Sequence, residues 1–299
     1  MKFNRRARLD PSQVSDQRGR RPAGRTAAAG GGIGVVILAL LALLTGTNPA
    51  DLIGGDDGTP QVQAEPGSEG ELERECQVVS DIDENPDCRF VLYVNSVQAF
   101  WDDYFTAAGQ QYTPSTTTFF TSSVTTRCGT ASSQVGPFYC PGDQKVYLDL
   151  GFFDQLRTTY GGPGGQFAEA YVLAHEYGHH VQNLTGQMNR VRTQSGPDSD
   201  AVRLELQADC YAGMWAHAAT TAEDETGQPL ITDLTDQDVA DALAAAETVG
   251  DDYIQERFQG TVTPESWTHG SSEQRQRWFT TGFQTGDFAA CDTFAASSL

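Results

Sequence analysis

The segment His175-Glu176-Tyr177-Gly178-His179 carries two imidazoles four residues apart, with a carboxylate beside the first. On a helix, positions i and i+4 share a face, so both rings point at one place. Neutral imidazole is a good zinc ligand. Zinc lowers the pKa of a water that it activates to about 7. Glu176 stands where its carboxylate reaches such a water and takes its proton. The chemistry that suits this pattern is metal-assisted hydrolysis.

A catalytic zinc needs three protein ligands and one open position. The strongest further candidate lies in Arg203-Leu204-Glu205-Leu206-Gln207-Ala208-Asp209. Glu205 and Asp209 are four apart and share a helix face. Ala201, Leu204, Ala208, Tyr211, Ala212 and Trp215 form an apolar face beside them. Two readings of the pair stand. In one, Glu205 is the third ligand, and Asp209 accepts a hydrogen bond from the far nitrogen of a ligand histidine. In the other, the two are an ordinary solvated charge pair. His180 points about 100 degrees away from His179, which makes it structural or exposed. His217 lies off the Glu205 face and takes no role. Tyr177 and Tyr253 are candidates to line a cleft.

These residues need helices to hold them. Phe167, Ala170, Tyr171, Ala174, Gly178 and Val181 recur at helical spacing, which predicts a helix over 166–184. Glycine is costly inside a helix, so Gly178 predicts close approach of another backbone. A second helix is predicted over 199–220 and a third over 235–258, the latter opened by a Thr235/Asp238 capping box. A fourth is predicted over 273–283, capped by Ser271 or Ser272 and ended by Gly286. Upstream, 90–108 reads as helix, and 115–150 as short strands rich in Thr and aromatic residues. Strand 145–150 reads either as a sheet edge able to pair with an extended peptide or as an interior strand. The whole is an α+β domain, mostly helical with a small sheet.

Charge divides the chain. The first 25 residues carry eight Lys/Arg and two acids, residues 26–50 carry none, and the rest carries 11 Lys/Arg against 38 Asp/Glu, a net of −27. A nucleic-acid partner is excluded, because the domain lacks a basic footprint. The uncharged residues 27–46 are long enough to cross a bilayer as a helix. The basic residues before them place the N-terminus in the cytoplasm. A cleaved signal peptide is the other reading, and the long basic leader without a clear cleavage site favours an anchor. The expected organisation is a basic cytoplasmic tail at 1–26, a transmembrane helix at 27–46, a flexible linker at 47–75 and a domain at 76–299. That makes a single-pass protein of the cell membrane with an extracytoplasmic domain. The six cysteines all follow the anchor, and an even number in an exported chain reads as disulfides. Fifteen pairings are possible. Short local loops favour Cys76–Cys88 and Cys128–Cys140, leaving Cys210–Cys291 by elimination.

HEYGHH at 175–180 followed by ELQADCYAGMW at 205–215 resembles the neutral zinc metallopeptidases of bacteria, the YpfJ-like family, and the wider gluzincin group. Cys140-Pro141, Lys145-Val146-Tyr147-Leu148-Asp149 and His269-Gly270 extend the resemblance over most of 76–299. It implies a zincin-like fold and one catalytic zinc ion held by His175, His179 and Glu205. It implies Glu176 as general base, Asp209 as hydrogen-bond partner of a ligand histidine, and a peptide or protein substrate. In similar peptidases a histidine or tyrosine outside the metal ligands stabilises the oxyanion. His269 is the candidate for that role, its alternative being a loop histidine with a local hydrogen bond. Two rival functions use the same residues: a cell-wall peptide amidase, and a zinc-bound interaction module with little turnover. The intact general base argues against the module, because a structural zinc site is closed by four ligands.

Overall fold

In the computed structural model of the protein, residues 1–19 and 71–299 are described. The helices are α1 (Glu71–Glu75), α2 (Cys88–Ala107), α3 (Gly151–Thr158), α4 (Gln166–Leu184), α5 (Asp200–Ala218), α6 (Asp236–Thr248), α7 (Asp251–Gln259) and α8 (Ser272–Thr285). The apolar stripe from Phe167 to Val181 makes α4 the central helix. It packs on α2, α5, α6 and one end of the sheet. A Cβ on Gly178 would lie 3.0 Å from both the Cα and the carbonyl oxygen of Ala208. The approach predicted from this glycine is therefore made by α5, and it sets α5 against the two α4 histidines. The next layer is equally close. A Cβ on Gly213 of α5 would overlap the Phe279 carbonyl, and one on Gly282 of α8 would overlap the Cys210 carbonyl.

The strands are β1 (Lys2–Phe3), β2 (Val14–Asp16), β3 (Thr116–Phe119), β4 (Ser123–Thr126), β5 (Gly129–Ser132), β6 (Phe138–Cys140), β7 (Lys145–Leu148) and β8 (Ile231–Asp233). The largest sheet has the order β2-β3-β7-β6. β3 pairs in parallel with both β2 and β7, and β6 is antiparallel to β7. The strand expected over 145–150 is thus interior, and β2 and β6 are the edges. β4 and β5 form a hairpin over a separate small apolar cluster that includes Phe120, Val124, Val135 and Phe138. The disulfides are Cys76–Cys88 and Cys128–Cys140, the two short loops expected, and Cys210–Cys291, the pair left by elimination.

Three expectations change. The helix expected over 235–258 is two helices, because residues 249–250 leave helical geometry and Gly250 is extended (φ −72°, ψ 144°). The break turns the carboxylate of Asp251 into the protein, where it is fully buried. A helix at Gly151–Thr158 was not foreseen. The third change concerns the membrane. No helix among the described residues is long and apolar enough to cross one, and residues 27–46 lie outside the described residues. The linker expected over 47–75 also lies outside them, apart from α1.

The expected cytoplasmic tail packs into the same fold as the helices instead. β1 pairs with β8, β2 pairs with β3, and Ala7, Leu9 and Val14 are buried in the core. Strands of one sheet cannot face each other across a bilayer, so the single-pass topology and its membrane placement are corrected. Among the described residues of that basic segment, arginines pair with acids of the fold. Arg18 bridges Asp16 and Asp87, each at 2.6 Å, and Arg5 pairs with Asp83.

Candidate metal centre

The close contact of α4 with α5 brings three buried side chains together. One ligand atom each from His175, His179 and Glu205 lies within 4.8 Å of the others. Glu205 Oε2 is 3.2 Å from His175 Nε2, and Oε1 is 3.5 Å from His179 Nε2. The far ring nitrogens are both held. His175 Nδ1–H donates to Asp209 Oδ1 at 2.8 Å, and His179 Nδ1–H donates to Gln182 Oε1 at 2.8 Å. Such bonds fix the tautomer and aim both Nε2 lone pairs at the cluster. Two imidazoles and a carboxylate form a donor set that zinc accepts, so these residues fit the ion.

Asp209 is the hub behind the cluster. It is fully buried and accepts from Tyr171 Oη at 2.6 Å, besides His175. Arg275, also buried, grips it with Nε and Nη2, each at 2.9 Å. Burial alone would raise the Asp209 carboxyl. The Arg275 and His175 charges outweigh burial and hold it at about 2. Burial opposes a charge on His175, yet Asp209 and then Glu205 raise its pKa to about 10. Glu205 sits well below the carboxylate range, because its histidine neighbours outweigh its burial. A field that holds a proton on His175 also favours a divalent cation, whose binding releases that proton.

Glu176 and His269 line the same cleft as the three ligand candidates. Burial pushes Glu176 up from the ordinary carboxylate range, and the charges of His175 and His179 pull it back. His269 precedes α8 in a loop that is tied down by Asp251. One oxygen of Asp251 accepts the backbone N–H groups of Thr268, His269 and Gly270 at 2.6, 2.7 and 3.1 Å. The other faces His269 Nδ1 at 3.3 Å. Burial disfavours a charge on His269, but this carboxylate outweighs it and raises its pKa.

A sequence model of the family described as "Putative neutral zinc metallopeptidase" matches residues 1–294. The chain belongs to that family. It is 46% identical over 260 residues to an uncharacterized protein of Mycobacterium tuberculosis, covering 86% of each chain. It is 38% identical over 276 residues to the uncharacterized protein YpfJ of Escherichia coli K12, covering 89% of this chain and 88% of that one. No solved structure matches it. The family name indicates zinc and a peptide or protein substrate, in keeping with the donor set at the cluster.

The remaining sequence candidates lie elsewhere. His180 is buried beside the cluster but faces away, bonded to Tyr139 Oη at 3.0 Å and to the Thr113 carbonyl at 2.7 Å. His217 bonds the Phe283 carbonyl at 2.7 Å. Tyr177 is buried against Thr117, and Tyr253 donates to the Tyr160 carbonyl at 2.8 Å, so neither lines the cleft. Three residues around the candidate metal cluster are not among the sequence candidates: Gln182, Arg275 and Asp251. Gln182 follows His179 by three positions, so helical periodicity could have found it. Arg275 and Asp251 come from distant segments and leave no local signal.

Proposed function

We propose that this chain is a zinc-dependent endopeptidase. One ion would be held by His175, His179 and Glu205. The observation that carries this reading is the placing of those three donors, Glu176 and His269 on one cleft. When bound, zinc supplies Lewis-acid polarisation of the substrate carbonyl and activation of a water.

The side chains do the rest. Glu176 takes the proton of the attacking water on a carboxylate oxygen and passes it to the leaving amine. Its burial favours this exchange, because a buried carboxylate binds a proton more readily than an exposed one. His269, whose cationic form Asp251 favours, donates to the oxyanion that develops on the carbonyl. Asp209 and Gln182 keep the two ligand imidazoles in one orientation. Trimming from the C-terminal end is disfavoured, because Arg275, the guanidinium lining the cleft, is engaged by the buried carboxylate of Asp209 and is not free to capture a terminal carboxylate.

The test incubates the full, zinc-loaded chain with a mixed peptide library, beside its Glu176→Gln variant. Internal cleavage by the parent with loss of about 100-fold or more in the variant supports the reading. Equal rates in both, with zinc content unchanged, overturn it.

A further inference from the structure

We infer that the substrate of this site is a peptide segment with two apolar side chains, one seated in the cleft beside the reacting groups and one on an aromatic shelf at its rim. This rests on the peptidase reading and names the class of peptide. Besides its polar residues, the cleft wall carries apolar side chains: Phe138 from β6, Phe152 from α3, Val172 from α4 and Ile254 from α7. Val172 lies one helical turn before Glu176, so an apolar side chain against it would sit next to the bond under attack. The titratable groups lining the cleft are Glu176, Glu205, Arg275 and the histidines together with two tyrosines, and the apolar side chains beside them suit Leu, Ile, Met or Phe better than Asp, Glu or Lys.

The shelf extends the wall outward. Tyr160 lines the cleft, and its ring packs edge-on against Phe258 at 5.6 Å between centroids. Phe258 is 48% exposed, and with Val262 it makes up the exposed large hydrophobic side chains among the described residues. The exposed Phe258 ring lies against a residue of the cleft, so it extends the apolar lining outward. The shelf is also rigid. Tyr253 Oη donates to the Tyr160 carbonyl at 2.8 Å, and Arg257 Nε donates to the Thr159 carbonyl at 3.0 Å, tying the strand of chain before the glycine run to α7. A backbone tied down in this way lowers the ordering cost of binding.

Binding separates this inference from catalysis. Labelled peptides carrying one Leu in a Ser/Gly/Gln background, and others with a second Leu walked two to five residues away, are titrated against the full zinc-loaded Glu176→Gln chain by fluorescence anisotropy. The single Leu is expected to tighten binding by about tenfold over its Ser counterpart. A second Leu in one register is expected to add about fivefold or more, and Phe258→Ser should remove that increment alone. Phe258 is half exposed, so Phe258→Ser keeps the fold, as an unchanged melting curve would show. Leu and Ser peptides binding alike, or Phe258→Ser weakening one-Leu and two-Leu peptides equally, overturns the inference. The parent chain is then assayed for cleavage of the same peptides. Apolar preference in binding without cleavage rejects the peptidase reading and leaves the two subsites standing. Cleavage without apolar preference rejects the subsites and leaves the peptidase reading standing.

Discussion

Asp209 accepts the Nδ1 proton of His175 at 2.8 Å while held by both nitrogens of the Arg275 fork that face it. Each contact depends on the other. Arg275 keeps Asp209 ionised, and an ionised Asp209 keeps the His175 proton on Nδ1, which leaves Nε2 free to ligate. Asp209→Asn is expected to weaken zinc binding by about 10- to 100-fold, read by competition with a chelator. Arg275→Met strands a buried carboxylate and should cost about 3–5 kcal/mol of stability, read by denaturant unfolding. Zinc affinity unchanged in Asp209→Asn would refute the link between the two contacts.

Gln182 gives His179 the same service from within one helix. Its Oε1 accepts from His179 Nδ1, and its Nε2 donates to the Leu204 carbonyl at 2.6 Å. It therefore ties the ligand helix to the turn that carries Glu205. Gln182→Leu keeps the volume and removes these bonds together with the one that Nε2 donates to Gln207 Oε1 at 3.2 Å. Zinc affinity should fall by about tenfold or more, whereas Gln182→Glu, which keeps an acceptor for His179, should recover part of the loss. Chelator competition on the two variants decides it, and equal affinity in both would show that the acceptor is irrelevant.

The site was largely legible in the sequence because its parts are local. His175 and His179, like Glu205 and Asp209, sit at helical spacing, and Gly178 announced the neighbour that joins the two pairs. Thr235, Asp238 and Ser271 cap the helices they were expected to cap. What failed lacked a period. β1 and β2 are two and three residues long, too short for alternation, so the basic segment holding them read as a leader. The break before Asp251 is a tertiary effect. Its carboxylate is drawn inward by the backbone of 268–270, and nothing in 235–258 reveals that partner.

The Asp251–His269 pair predicts a pH dependence whose sign can be worked out. His269 is raised in the fold, so its share of the stabilisation is full below the ordinary 6.5 and is lost as pH rises through the raised value. Asp251 is lowered, so its share is full above the ordinary 3.8 and is lost as pH falls through the lowered value. The pair is therefore intact between 3.8 and 6.5 and weakens on the alkaline side first. If cationic His269 stabilises the oxyanion, kcat/KM must fall along the same alkaline limb. Asp251→Asn should move that limb to lower pH and leave the acidic limb in place. An alkaline limb that stays put in Asp251→Asn would assign it to another group.

Gly178 offers a test of the packing that assembles the site. A methyl group there would meet the Cα and carbonyl oxygen of Ala208 at 3.0 Å, and backbone cannot swing aside as a side chain does. Gly178→Ala gains helix propensity, about 1 kcal/mol, but forces α5 away from α4. Overpacking of this kind costs about 1–3 kcal/mol, so the net effect should be a lower melting temperature. The same displacement moves Glu205 away from His175 and His179, so zinc affinity should fall together with stability. Calorimetric melting with and without zinc measures both. If Gly178→Ala melted higher and bound zinc as the parent does, the contact between the two helices would not be what sets the metal site.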